Sequence, residues 1–137
     1  MRGPIIFVED DLDDQELLKD ALQELKIPND YKFFANGLEA LYYLETTADQ
    51  PFIIFSDINM PLLNGIELRN QIFKSEYLRE KSIPFVFLTT ASNNLLVKQA
   101  YDLSVQGFFK KPETFPELQS VIKQILEYWH KCKHPNS

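Results

Sequence analysis

The sequence predicts an α/β fold in which a parallel sheet of five strands has helices on both faces, a doubly wound (βα)₅ arrangement in three layers. Two observations predict it. Short apolar runs alternate with segments whose apolar residues have helical spacing. Most of these runs are continuously apolar, which is typical of strands buried on both faces. Right-handed crossovers then favour the strand order 2-1-3-4-5.

Five apolar runs are predicted to be strands, because each is rich in β-branched or aromatic residues. They are Ile5 to Val8, Tyr31 to Ala35, Phe52 to Phe55, Phe85 to Leu88 and Val105 to Phe109. A helix is expected after each strand. Three helix starts are marked by a capping residue with an acid three positions later, namely Asp13 with Glu16, Asn36 with Glu39 and Thr114 with Glu117. Two more helices are expected over about 62–74 and 93–103.

Length and composition fit one domain over residues 1–137, with a tail that we expect to be frayed from about residue 131. The net charge of −6 opposes direct binding to nucleic acid or to an anionic membrane. No apolar run approaches the roughly 20 residues that cross a bilayer. Cys132 is the only cysteine and no secretory signal is visible, so we expect a soluble protein in the cytoplasm.

Polar residues follow four of the predicted strands. Glu9 and Asp10 follow the first, Asp57 the third, Thr89 the fourth, and Lys111 the fifth. Since the carboxyl ends of parallel strands lie at one edge of a sheet, these five side chains should converge there.

Three converging carboxylates repel one another unless a cation lies among them, and hard oxygen ligands suit Mg²⁺, with Mn²⁺ as a second possibility. Three carboxylates, one Mg²⁺ and the Lys111 ammonium sum to zero charge. A carboxylate in such a site can attack phosphorus and form an aspartyl phosphate. Asp57 lies in the middle position, Lys111 can pair with a phosphoryl oxygen, and Thr89 can donate a hydrogen bond to another.

Simpler interpretations exist for several of these residues. Asp11, Asp13 and Asp14 are interpreted as capping or solvated acids at the start of the first helix. Thr89 and Thr90 are also ordinary β-branched strand residues. The alternating His130, Cys132 and His134 offer only three metal ligands in an expected frayed tail, so we predict no metal site there. The many phenylalanines are interpreted as core.

Four motifs carry a resemblance over nearly the whole chain. They are Val8-Glu9-Asp10, Asp57-Ile58-Asn59-Met60-Pro61, Leu88-Thr89-Thr90 and Lys111-Pro112. Together and in this order they resemble the receiver domain of two-component response regulators, which has a flavodoxin-like fold. The resemblance implies that Glu9 and Asp10 bind the metal, that Asp57 is the phosphoacceptor, and that Asn59 is a metal ligand through its backbone carbonyl.

The resemblance also implies roles for residues around the site. Thr89 matches the switch hydroxyl and Lys111 the phosphate-binding lysine, whose bond to Pro112 would be cis. Gly65 matches the glycine that opens the third helix. Phe108 matches an aromatic switch residue, although a plain core residue is the alternative. Two departures are Thr90 in place of a common alanine and a lengthened surface loop around residues 77–82.

Partners follow from the same resemblance. The donor would be a phosphohistidine on a sensor histidine kinase or a histidine phosphotransfer protein. The fourth helix, fifth strand and fifth helix would form the output face, and since the chain ends there, a separate output protein would receive the signal. A homodimer through groups such as Tyr101 or Trp129 is a further possibility.

The sequence leaves two other function classes as alternatives. A pure interaction module would dock partners without taking up phosphate, which the intact acidic, threonine and lysine positions disfavour. A phosphohydrolase using Asp57 as nucleophile would want a second aspartate two residues later, and that position is Asn59.

Overall fold

The computed structural model describes residues 3–135 and confirms the predicted α/β class. Five parallel strands form one sheet in the order β2-β1-β3-β4-β5, which is the predicted order. Each predicted strand is present, with its ends shifted by no more than two residues. The strands are β1 (Ile5–Val8), β2 (Tyr31–Phe34), β3 (Ile53–Ser56), β4 (Phe85–Thr89) and β5 (Gly107–Lys110).

Helices connect the strands and cover both faces of the sheet. They are α1 (Leu12–Leu25), α2 (Gly37–Thr46), α3 (Gly65–Lys74), α4 (Glu76–Lys81), α5 (Asn94–Asp102) and α6 (Phe115–Lys131). The predicted fourth and fifth helices are therefore α5 and α6. Within the described ranges, none of these helices is long and apolar enough to cross a membrane.

The short helix α4 replaces the surface loop that the sequence led us to expect around residues 77–82. The side chain of Ser75 accepts a hydrogen bond from the backbone N–H of Leu78, which caps the helix start. Leu78 is buried in the core. The expectation of a plain loop was wrong because a capping serine and one buried leucine are enough to fix a short helical segment against α3.

Two apolar clusters, one on each face of the sheet, form the core. Residues of β1 alternate between them, with Ile6 and Val8 in the cluster under α2 to α5, and Ile5 and Phe7 in the cluster under α1 and α6. Every residue of β1, β3 and β4 is buried, whereas the edge strands β2 and β5 are partly exposed. This is the two-sided burial that the continuous apolar runs predict.

The predicted caps are confirmed for α2 and α6 but not for α1. Asn36 and Thr114 accept hydrogen bonds from the backbone N–H groups of Glu39 and Glu117. For α1 the cap is Asp11, whose extended backbone and side-chain bond to the N–H of Asp14 start the helix two residues before the predicted Asp13. Asp13 and Asp14 consequently lie inside the first turn.

The tail after α6 packs back onto the sheet, so the expectation that it frays from about residue 131 was wrong up to His134. The His134 side chain is 6% exposed and its ring stacks on Phe52 with centroids 4.7 Å apart. Its Nε2 lies 2.7 Å from the Phe52 carbonyl oxygen. Burial of an aromatic ring that also has a polar partner holds this segment in place. Residues 136 and 137 lie outside the described part.

Gly65 lies where α3 meets the end of β3. Its N–H donates to the carbonyl of Ile58, and a Cβ built on it would lie 2.1 Å from the Asp57 carbonyl oxygen. We expect Gly65→Ala to lower the free energy of unfolding by about 1–3 kcal/mol, as overpacking against rigid backbone does. Urea denaturation checks this.

Gly107→Ala is the matched control, because its added Cβ would meet side chains and no backbone: the Phe109 ring at 2.8 Å, which can turn aside, and Val86 at an ordinary 3.4 Å. If Gly65→Ala cost no more stability than Gly107→Ala, the close approach at α3 would not be the constraint described.

Candidate functional site

The carboxyl edge of the sheet brings together three acidic side chains that are far apart in sequence. Val8 pairs with Ser56 in the parallel ladder, so the residues that follow them, Glu9 and Asp57, emerge side by side. Ligand oxygens of Glu9, Asp10 and Asp57 all lie within 4.8 Å of one another. Glu9 and Asp57 are buried at 3% and 8% exposure, whereas Asp10 is exposed. We call these three residues the acidic cluster.

Both oxygens of the Asp57 carboxylate are held by neighbours. Oδ1 accepts a hydrogen bond from the Ile58 N–H at 2.7 Å and another from the Thr89 hydroxyl. Thr89 is fully buried and its hydroxyl accepts from the Ala91 N–H at 3.2 Å, which directs its proton to Asp57. The Oδ2 atom lies 3.1 Å from Lys111 Nζ. The carboxylate is therefore fixed before any ligand arrives.

The Lys111 ammonium lies among three carboxylates. Its Nζ is 2.6 Å from Glu9, 2.8 Å from Asp14 and 3.1 Å from Asp57. The lysine side chain is only 14% exposed, and its backbone N–H donates to the Thr89 carbonyl at 2.9 Å. The peptide bond to Pro112 is trans, so the expected cis bond is wrong. Trans is the ordinarily favoured form of an X–Pro bond.

Asp14 was missed as a site residue, since the sequence placed it with the capping and solvated acids. Its carboxylate instead contacts Lys111 across 97 residues of sequence. A signal for this was present, because Asp14 precedes Leu18 by four positions and Ala21 by seven. It therefore extends the buried stripe of α1 toward the edge of the sheet that carries the site.

Burial and charge act against each other in this cluster. Burial raises the pKa of the Glu9 carboxyl to about 7, against the lowering effect of the nearby Lys111. For Lys111, burial favours the neutral form, but hydrogen bonds to Asp14 and Glu9 and the neighbouring negative charges outweigh it and raise its pKa. The lysine thus stays charged, whereas the buried Glu9 carboxylate lacks enough positive charge around it.

The donor set fits a hard divalent cation. All its side-chain ligands are carboxylate oxygens, the buried Glu9 is short of positive charge, and the exposed Asp10 leaves the cluster open to water. Such sites suit Mg²⁺ or a similar ion that keeps part of its hydration shell. Asn59 is exposed two residues after Asp57, and a role for its carbonyl stays a prediction.

The predicted aromatic switch residue lies two strands away from Asp57, with β4 between them. Phe108 is half-buried on β5 and packs against the core cluster under α2 to α5, with its ring centroid 5.8 Å from that of Phe87. Phe87 lies on β4, two residues before Thr89. This position fits both a switch residue and a plain core residue. Thr90 is exposed next to the site.

The pH dependence of stability, measured without metal, should report the raised pKa of the Glu9 carboxyl. Its pKa of about 7 lies above the ordinary 4.5, so the folded protein binds more protons than the unfolded chain between these values. The Glu9 contribution is thus fully present below about pH 4.5 and is lost as the pH rises through about 7. With a chelator present, we expect the parent to lose more unfolding free energy over this range than Glu9→Gln.

Glu80→Gln removes an exposed carboxylate at the end of α4 and serves as the control, because it should keep the pH dependence of the parent. Parallel pH profiles for the parent and Glu9→Gln would contradict the assignment. Chemical denaturation at a series of pH values measures all three proteins.

Comparison with known proteins agrees with this geometry. A family model of the response regulator receiver domain matches residues 5–123. The probable methanogenesis regulatory protein FilR2 of Methanothrix harundinacea is 31% identical over 129 residues, covering 91% of this chain and 82% of that protein. Response regulator Rcp1 of Synechocystis sp. is 28% identical over 130 residues, covering 91% and 87% respectively.

Solved structures give the same result. The phosphorylated cyanobacterial phytochrome response regulator RcpA superimposes with a TM-score of 0.89 at 29% identity, covering 98% of this chain and 99% of that one. The Mn²⁺-bound form of Rcp1 has a TM-score of 0.85 at 27% identity, covering 96% and 98%. With the family model spanning most of the sequence, this chain belongs to the response regulator receiver domain family of two-component signalling.

Proposed function

We propose that the chain is a phosphoacceptor in which Asp57 receives a phosphoryl group from a phosphohistidine on a sensor histidine kinase or a histidine phosphotransfer protein. The observation that supports this best is the fixed Asp57 carboxylate, which has Lys111 Nζ at 3.1 Å and the Thr89 hydroxyl on its other oxygen. Both groups can donate to a phosphoryl group as well as to the carboxylate.

The transfer is a displacement at phosphorus. An Asp57 oxygen forms the new O–P bond while the P–N bond of the phosphohistidine breaks, and its electron pair stays on the imidazole nitrogen. The ammonium of Lys111 and the hydroxyl of Thr89 donate hydrogen bonds to the phosphoryl oxygens, where negative charge is spread in the transition state. The product is an aspartyl phosphate at Asp57.

Glu9, Asp10, Asp57 and the backbone carbonyl of Asn59 would hold Mg²⁺ in this reaction. Mn²⁺ is a reasonable substitute, since a relative, Rcp1, has been solved in an Mn²⁺-bound form. A bound divalent ion supplies positive charge that stabilises the transferring oxygens. The raised pKa of the buried Glu9 carboxyl supports a cation there, because added positive charge would favour its ionised form.

The phosphoryl group would change the surface formed by α5, β5 and α6. It brings about two negative charges, which draw Thr89 and Lys111 toward it. Thr89 and Phe108 lie on neighbouring strands, and Phe108 packs beside Phe87 on the strand that carries Thr89. Leu95, Tyr101 and Tyr128 are exposed on α5 and α6, where a separate output protein in the cytoplasm could bind.

Incubation with acetyl phosphate and Mg²⁺ tests the phosphoacceptor. We expect the intact mass of the parent to rise by one phosphoryl group, and Asp57→Asn to show no rise because it lacks the nucleophile. Asp20→Asn, which removes an exposed aspartate of α1, should be modified like the parent. Uptake by Asp57→Asn at the rate of the parent would refute the assignment.

Stability measurements test the metal site without phosphate. An ion that binds only the folded protein raises the stability of that protein as the ion concentration increases. Millimolar Mg²⁺ should therefore raise the unfolding temperature of the parent. Asp10→Asn should largely lose this rise, because Asp10 belongs to the acidic cluster.

Asp13→Asn is the control for the Mg²⁺ measurement. It removes the same charge from an exposed position of the adjacent helix and should keep the rise. Equal responses of the two variants would mean that Mg²⁺ acts through general screening and not at the cluster.

A further inference from the structure

We infer that Asp14 is a positioning residue, which keeps the Lys111 ammonium in the site while a divalent cation occupies the acidic cluster. The inference rests on the proposed function for its importance, but its structural part can be tested separately. The observation behind it is that the carboxylates of the acidic cluster and the carboxylates that contact Lys111 are not the same three. Glu9, Asp10 and Asp57 form the acidic cluster, whereas Glu9, Asp14 and Asp57 contact Lys111.

Lys111 has as many partners as it has donors. An ammonium group carries three N–H bonds, and the Nζ atom lies within 3.1 Å of three different carboxylates. Two of these partners, Glu9 and Asp57, are shared with the acidic cluster. Asp14 is the one of the three that does not belong to the acidic cluster. Its side chain is 36% exposed and reaches the ammonium from the first turn of α1.

A divalent cation would weaken two of the three contacts. Positive charge beside Glu9 and Asp57 would offset the negative charge that attracts the lysine, and two cations that share these carboxylates would also repel each other. The lysine stem is long and flexible, so an ammonium without an anchor can turn toward solvent. The contact with Asp14 opposes this movement, and Lys111 then remains where a phosphoryl group on Asp57 needs it.

The alternative is that Asp14 only adds negative charge near the start of α1, where an acid favours the helix dipole. Asp13 provides the matched comparison. It lies in the same turn and carries the same charge, but it is exposed and contacts no cation among residues 3–135. Asp14→Asn and Asp13→Asn therefore remove the same charge from the same turn of the helix, and only Asp14→Asn removes a contact with Lys111.

The first experiment observes the lysine directly. In ¹⁵N-labelled protein, the ammonium signal of Lys111, assigned with Lys111→Gln, is followed during addition of Mg²⁺ alone. We expect the signal to persist in the parent and in Asp13→Asn, because a hydrogen-bonded and shielded ammonium exchanges slowly with water. In Asp14→Asn it should broaden or vanish as Mg²⁺ is added. Persistence in Asp14→Asn would overturn the inference.

The second experiment measures the rate of phosphate uptake from acetyl phosphate at saturating Mg²⁺. Loss of a charge-assisted contact that positions Lys111 should slow Asp14→Asn about tenfold, while Asp13→Asn matches the parent. An Asp14→Asn rate equal to or above that of Asp13→Asn would overturn the inference. A parent that takes up no phosphate would refute the proposed phosphoacceptor, and the ammonium signal would still decide the role of Asp14.

Discussion

The Lys111 ammonium among the carboxylates of Glu9, Asp14 and Asp57 is the interaction on which the site depends. Ionised carboxylates this close and this buried would repel one another or take up protons without a cation between them. Burial raises the pKa of the Glu9 carboxyl even though the nearby Lys111 ammonium lowers it. Additional positive charge among these carboxylates would favour their ionised forms, which is the physical basis for expecting a divalent ion.

The same elements that build the core also place Asp57, the proposed nucleophile. Parallel pairing of β1 with β3 sets Glu9 beside Asp57. Pairing of β3 with β4 brings Thr89, at the end of β4, within hydrogen-bonding reach of Asp57. Close approach of α3 to the Asp57 carbonyl requires glycine at position 65. Packing and site geometry are therefore linked, since Asp57 bonds to Thr89 on β4 and Phe87 of the same strand packs beside Phe108, on the side proposed for output.

Much of the fold was predictable because its signals are local or periodic. Continuous apolar runs predicted the strands and their burial, and the polar residues that end them predicted which side chains converge. Errors occurred where tertiary contacts decided the outcome. Helix α4 depends on Leu78 reaching the core, and the tail is held by His134 on Phe52, a contact between residues 82 positions apart.

By itself the sequence determined the fold class, the strand order and the identity of Glu9, Asp10, Asp57, Thr89 and Lys111 as the residues gathered at one edge. The change from apolar to polar residues marks where each strand ends, and parallel pairing then brings these ends together at one edge of the sheet. Only the tertiary structure decided how the charges pair. The choice of Asp14 and not Asp13 as a partner of Lys111 depends on the exact start and rotation of α1, which is set by the Asp11 cap and by packing of its buried face on the sheet.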